Sequence, residues 1–157
     1  MRPVDPGHFR SVMGNFATGV TVITATAESG PVGMTANAVA SLSLEPLLLL
    51  VAFDNTARTL QVVRETERFG VNVLGAGQQE LARLFASKAP EDAKFAGVAH
   101  EVYQGIPVIE GVLAWVGCRL ERLVDGGDHT IGIGAVESAE TGALDGRPLM
   151  WFRGGYR

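Results

Sequence analysis

The chain has 157 residues, 46% of them hydrophobic and 19% charged, and carries a net charge of −4. That length suits a single domain over residues 1–157, which buries roughly 68–70% of its extended surface with no disulfide or metal staple. The composition excludes a disordered tail, the acidic balance argues against a nucleic-acid partner, and the lone Cys118 excludes an internal disulfide and a multi-thiolate metal site.

The opening stretch from Met1 to Gly7 lacks the apolar run of a signal peptide. The spacing then predicts a short helix around Gly7 to Met13. Val20 to Ala25 is rich in β-branched residues and reads as a strand, with a turn at Glu28-Ser29-Gly30-Pro31 and a hairpin partner running from about Val32 through to Leu42. Leu47 to Phe53 is the longest apolar run and reads as a central buried strand, far short of the roughly 20 residues that span a bilayer. Leu60 and Val63 fit a short helix capped by Asn55 or Thr56.

Phe69 to Leu74 reads as another strand. Leu81, Leu84 and Phe85 mark an amphipathic helix from about Gln78 to Ala86. Residues 87 to 111 read as a long irregular excursion. Val112 to Leu123 and Thr130 to Ser138 read as two long strands around Asp125-Gly126-Gly127, and a last short strand is predicted near Leu149 to Arg153. Strands follow one another without alternating helices, which favours a mainly β, antiparallel barrel over a doubly wound parallel sheet.

Several chemistries are missing. Gly132-Ile133-Gly134 lacks the third glycine of a dinucleotide fingerprint and sits within a strand pattern. There is no phosphate loop and no Gly-x-Ser-x-Gly elbow. His8, His100, His129 and Cys118 lack metal-ligand spacing, so no metal is expected. Redox or group-transfer chemistry in such a chain would come from an organic cofactor.

Two stretches suit one. From Gly33 to Ser43, small residues fill the centre and Thr35, Asn37 and Ser41 alternate with Ala36, Ala38 and Ala40. A flat ring can approach such a backbone and meet short polar side chains; a closely packed barrel strand fits the same pattern. Asp54 to Thr59 joins a strand end to a helix start, where free N–H groups, Arg58 and the hydroxyls of Thr56 and Thr59 suit a phosphate or form an ordinary cap.

Together these stretches resemble the short-chain flavin reductases, a family with an FMN-binding split-barrel fold that often serves as the reductase component of two-component flavin-dependent monooxygenases. The resemblance covers nearly the whole chain. It rests on Phe9-Arg10 with Phe16 to Thr24, Gly33 to Asn37 with Ser41 to Pro46, Gly127-Asp128-His129 with Gly132-Ile133-Gly134-Ala135-Val136, and Pro148 to Arg157. Ala17 stands where the family commonly has proline.

The resemblance implies an antiparallel split β-barrel and an NAD(P)H:flavin oxidoreductase that passes a hydride from NADH or NADPH to N5 of FMN or FAD. Thr35, Ala36, Asn37, Ala38, Ser41 and Leu42 would hold the ring and ribityl chain. Asn55, Thr56, Arg58 and Thr59 would take the phosphate, assisted by Ser87 and Lys88. His129 would orient the nicotinamide; a strand-end histidine that only fixes its turn is the plainer alternative. Arg153 and Tyr156 would approach the nucleotides or a second subunit. Trp115, Trp151 and Cys118 read as packing residues. The family also implies a homodimer, with residues 87 to 111 packing across it, a cytoplasmic location, and delivery of reduced flavin to a monooxygenase component. A flavin-linked electron carrier and a non-catalytic flavin-binding module are the rival readings.

Overall fold

The computed structural model describes residues 3–142 and 145–157; Met1 and Arg2, where the stretch read for a leader begins, lie outside the described residues. Helix α1 (Pro6–Met13) starts where predicted, with proline in its first turn and the Asp5 carboxylate accepting from the Gly7 N–H at 3.2 Å. After the short β1 (Thr18–Gly19), strands β2 (Thr21–Ala27) and β3 (Gly30–Ala36) form the expected hairpin, with Ala27 opposite Gly30. Then follow β4 (Val39–Leu44), β5 (Leu47–Asp54), α2 (Arg58–Thr66), β6 (Arg68–Val73), α3 (Gln79–Ala86), α4 (Glu91–Phe95), β7 (His100–Tyr103), β8 (Ile106–Ile109), β9 (Ala114–Gly126), β10 (His129–Thr141), β11 (Met150–Phe152) and β12 (Gly155–Tyr156). Among the described residues no helix is long and apolar enough to cross a membrane.

One antiparallel sheet of seven strands, in the order β3-β2-β6-β9-β10-β5-β4, carries the molecule. It curls until β3 approaches β5, which makes the split barrel. The main core fills the curl with Ile23, Val51, Phe53, Leu60, Val63 and Phe69, each at most 2% exposed. Side chains of this size contribute about 1.5–3 kcal/mol each when fully buried. Phe53 and Phe69 meet edge to face with centroids 5.8 Å apart. Gly132 and Gly134 make room for those rings: a Cβ at either would lie 2.6 Å from Phe53 or Phe69 respectively. The glycine pair therefore serves packing. A second core under α3 joins Val22, Leu74, Phe85, Phe95 and Leu149, with Trp115 and Trp151 packed against it.

Four expectations need correcting. The strand predicted from Val32 to Leu42 is two strands that lie at opposite ends of the sheet. Ala36 is the last partner of Thr21, and Val39 begins pairing with Val51; Asn37 and Ala38 step between the two ends of the curl. An alternating pattern cannot register a change of partner.

Leu47 to Phe53 is not central. It lies second from the end, with Leu49, Val51 and Phe53 buried but Leu48, Leu50 and Ala52 only half-buried and Leu47 52% exposed, because at this strand the core lies behind one face.

The cap of α2 is Ala57, which offers no side-chain acceptor. Asp54 takes both the N–H and the hydroxyl of Thr56 in a local turn, at 2.8 and 2.7 Å, so the helix begins later than predicted.

Residues 87 to 111 are not irregular. They form α4 and the β7–β8 hairpin, turning on Gln104 and Gly105 with φ of 49° and 80°. Strand β8 docks on its own chain: Thr24 Oγ1 donates to the Pro107 carbonyl at 2.6 Å, and the Ile109 N–H donates to Asn72 Oδ1 at 2.9 Å.

Strand β3 is an outer strand, and α4 covers it. The Gly33 N–H donates to Glu91 Oε2 at 3.0 Å, and Lys94 Nζ donates to the Gly33 carbonyl at 3.3 Å and to Glu91 Oε1 at 3.2 Å. The Lys94 side chain is only 7% exposed.

Candidate functional site

The register of the sheet assembles one corner from three distant segments. His129, first residue of β10, lies opposite Asp54 at the end of β5. Two residues earlier, Ala52 faces Ile131 on one side, and its N–H donates to the Ala38 carbonyl at 2.9 Å on the other. The stretch predicted to hold a flat ring, the stretch predicted to hold a phosphate and His129 thus lie within two strand spacings of one another.

The ring stretch is open. Asn37, Ala38, Ser41 and Leu42 are exposed, Thr35 is half-buried and Ala36 is buried. Thr35 Oγ1 donates to the Ala82 carbonyl of α3 at 2.6 Å, and the Ala36 carbonyl accepts from Thr21 Oγ1 at 2.6 Å. Those two residues fix the bed in place. Ser41 lies farther along β4, opposite Leu49, and Leu42 sits in the irregularity between Ser41 and Ser43.

At the start of α2, Arg58 is exposed and its Nη1 donates to Gln61 Oε1 at 3.3 Å. Thr59 is 1% exposed, and its hydroxyl has no hydrogen-bond partner. An uncapped helix start beside a buried orphan hydroxyl suits an oxygen-rich anion. The residues present therefore fit a flavin phosphate. Ser87 ends α3, its hydroxyl donating to the Leu84 carbonyl at 2.7 Å. Lys88 follows, close enough for its charge to act on Asp54.

Asp54 is held below the usual carboxylate value, first by the Thr56 hydroxyl and then by the Thr56 N–H; burial opposes this, and the charges of His129 and Lys88 add to it. His129 is half-buried. Its Nδ1 lies 2.7 Å from Asp128 Oδ1, which leaves Nε2 for another partner. Asn55 is tied to the β9–β10 turn and to the start of β10. Its N–H donates to the Asp128 carbonyl at 3.1 Å and its Nδ2 to the Gly127 carbonyl at 2.9 Å, while its Oδ1 accepts from Thr130 Oγ1 at 2.7 Å.

Arg153 and Tyr156 go elsewhere. Arg153 Nε donates to Asn15 Oδ1 at 2.9 Å, in a groove of about 570 Å³ that it shares with Arg10 and Ser11. Tyr156 packs on Trp151 and beneath Arg83; burial raises its pKa, and the Arg83 charge opposes that. A second groove of about 530 Å³ runs between Pro31, Arg58, Glu91 and Phe95. Neither groove is lined by Asn37 to Leu42 or by His129. Sequence reasoning gave no role to Asp54, Thr130 or Arg64, whose Nη2 reaches Thr130 Oγ1 at 3.5 Å. These are support residues, and their signal lies in sheet register, which a single chain's pattern does not expose. Cys118 is 1% exposed, and burial pushes its thiol up to about 12, with Glu137 adding to the effect, so it is inert packing.

Several reductases are similar to this chain in sequence and fold. Residues 13–157 match the family described as flavin reductase like domain. The chain is 44% identical over 155 residues to the reductase subunit HsaB of a flavin-dependent monooxygenase from Mycobacterium tuberculosis, covering 98% of this chain and 82% of that one. It is 36% identical to a flavin reductase of Pseudomonas putida, covering 98% and 89%. The NADH:FAD oxidoreductase SgcE6 of Streptomyces globisporus superposes with a TM-score of 0.91 at 37% identity, over 100% of this chain and 96% of that one. Taken with the split barrel, these matches make the chain a member of the flavin reductase like family of oxidoreductases.

Proposed function

We propose that residues 1–157 act as one NAD(P)H:flavin oxidoreductase unit that supplies reduced FMN or FAD to a partner monooxygenase in the cytoplasm. What supports this reading is the single corner where the Asn37–Ala38 step, the uncapped start of α2 and His129 meet. Kinship with the HsaB reductase subunit and with the structure of SgcE6 in complex with NAD and FAD fragments supports it too.

In this reading the bed from Thr35 to Leu42 carries the flavin ring. Thr56, Arg58 and Thr59 take the phosphate at the helix start, with Lys88 adding positive charge. A bound flavin supplies the redox chemistry, accepting a hydride at N5 from reduced nicotinamide. His129, held by Asp128, orients the nicotinamide carboxamide through Nε2. Hydride transfer needs donor and acceptor about 3–3.5 Å apart and no general base, so the residues work by positioning.

Asn37, Ala38, Ser41 and Leu42 are exposed in one chain, and a ring lying there needs a second wall. A homodimer would supply that wall. Phe9, Val12, Met13 and Phe16 form an exposed apolar row on and just after α1, which has no buried residue, and Leu42, Leu44 and Leu47 form another at the β4–β5 end.

The test is to mix the purified protein with NADH or NADPH and FMN or FAD and follow nicotinamide oxidation. Turnover of free flavin is expected. Flavin retention with no oxidation indicates a binding module, and oxidation only with a further acceptor indicates a carrier.

A further inference from the structure

We propose that Asn55, together with Thr130, is a positioning residue for His129, pinning the β9–β10 turn to the start of α2, and that it is not a phosphate ligand. The proposal rests on the flavin reductase reading above. Asn55 makes three hydrogen bonds to residues 72 to 75 positions away, one through its backbone and two through its side chain, and their partners, residues 127, 128 and 130, all lie within two positions of His129. Its backbone donor and one side-chain donor are committed to carbonyls of the turn, and its acceptor is committed to Thr130.

Ladder pairing of His129 with Gly126 and Asp54 sets the backbone, and the side chain of Asn55 adds a tie at the tip itself. Gly126, Gly127 and Asp128 are exposed, and Gly127 has a φ of 79°, so no apolar packing fixes the tip. The Asp128 carboxylate that sets the ring of His129 belongs to the residue whose carbonyl Asn55 holds. The backbone N–H of Asn55 survives substitution, so what the side chain adds is the clamp on Gly127 and Thr130, on either side of the Asp128–His129 pair. Thr130 extends the tie inward: it is 7% exposed, donates to Asn55 at 2.7 Å and faces Arg64 Nη2 at 3.5 Å. A polar chain thus runs from α2 through Thr130 and Asn55 to the turn. A misplacement of about 1 Å at a reacting centre costs on the order of a hundredfold in rate, which is the scale on which such a tie matters.

The experiment compares Asn55→Ala, Thr130→Val and Thr130→Ser, with Asn55→Ala and Thr130→Val also made in a His129→Ala background. Three quantities are measured: nicotinamide KM and kcat, the flavin dissociation constant by fluorescence titration, and amide hydrogen exchange at residues 126–130. Asn55→Ala and Thr130→Val should lower kcat/KM for nicotinamide by roughly tenfold to a hundredfold, on the scale of the misplacement above. Both should speed exchange at the turn and leave flavin affinity within about twofold of the parent; Thr130→Ser, which keeps the hydroxyl, should restore all three. In the His129→Ala background neither substitution should add more than about twofold, because residues that act as a unit are not additive. A large loss of flavin affinity in Asn55→Ala with nicotinamide kinetics intact would overturn the proposal and make Asn55 a phosphate ligand. Independent, multiplicative losses would overturn it as well. If His129→Ala alone leaves nicotinamide kinetics unchanged, the assignment of His129 falls, and the positioning role falls with it.

Discussion

Asp54 shows how one carboxylate can set a corner. It turns the chain by binding Thr56 twice, faces His129 across the ladder and lies near Lys88. Its folded pKa lies below its ordinary value of 3.8, so the folded state favours its ionised form. That contribution is fully present above the ordinary value and is lost as pH falls through the lowered one. Asp54→Asn should therefore be less stable than the parent at neutral pH, with the gap narrowing below about pH 4; urea unfolding at a series of pH values checks this. Arg58 tests the phosphate directly. Arg58→Ala should weaken flavin binding by roughly 1.5–3 kcal/mol, read by fluorescence titration, if its guanidinium meets the phosphate; equal affinity removes it from the site.

At the scale of elements, packing decides what patterns leave open. Gly134 faces Phe69 and Cys118, and a Cβ there would come within 2.6 and 2.8 Å of them. Gly134→Ala should cost about 1–3 kcal/mol in denaturant unfolding, while flavin affinity of the folded fraction holds. The α1 helix, the β2–β3 hairpin and α3 were legible because periodicity and turn residues agree locally there. The parting of β3 from β4 was not, since Asn37 and Ala38 change partner without changing the alternation. The β7–β8 hairpin was hidden by a Gln-Gly turn with positive φ at a non-glycine residue and by Pro107 inside a strand. The sequence pattern did put Arg58 and Thr59 at a helix start; that Asn55 belongs to a distant turn emerges only from the pairing of β5 with β10.

For the whole molecule, the two apolar rows of α1 and the β4–β5 end argue for association. Sedimentation should give about twice the 16.6 kDa chain mass, and Phe9→Glu combined with Leu44→Glu should give the single-chain mass with weakened flavin binding. A dimer that survives both changes must use another face. The rims of the sheet differ in a way that bears on how far such assembly goes. At the β3 rim, Glu91 and Lys94 already occupy the amide and carbonyl of Gly33 that a foreign strand would need. At the opposite rim, β4, Leu42 and Leu44 are exposed. Two chains joined along β4 would turn only their blocked β3 margins outward, so strand-to-strand growth would stop there.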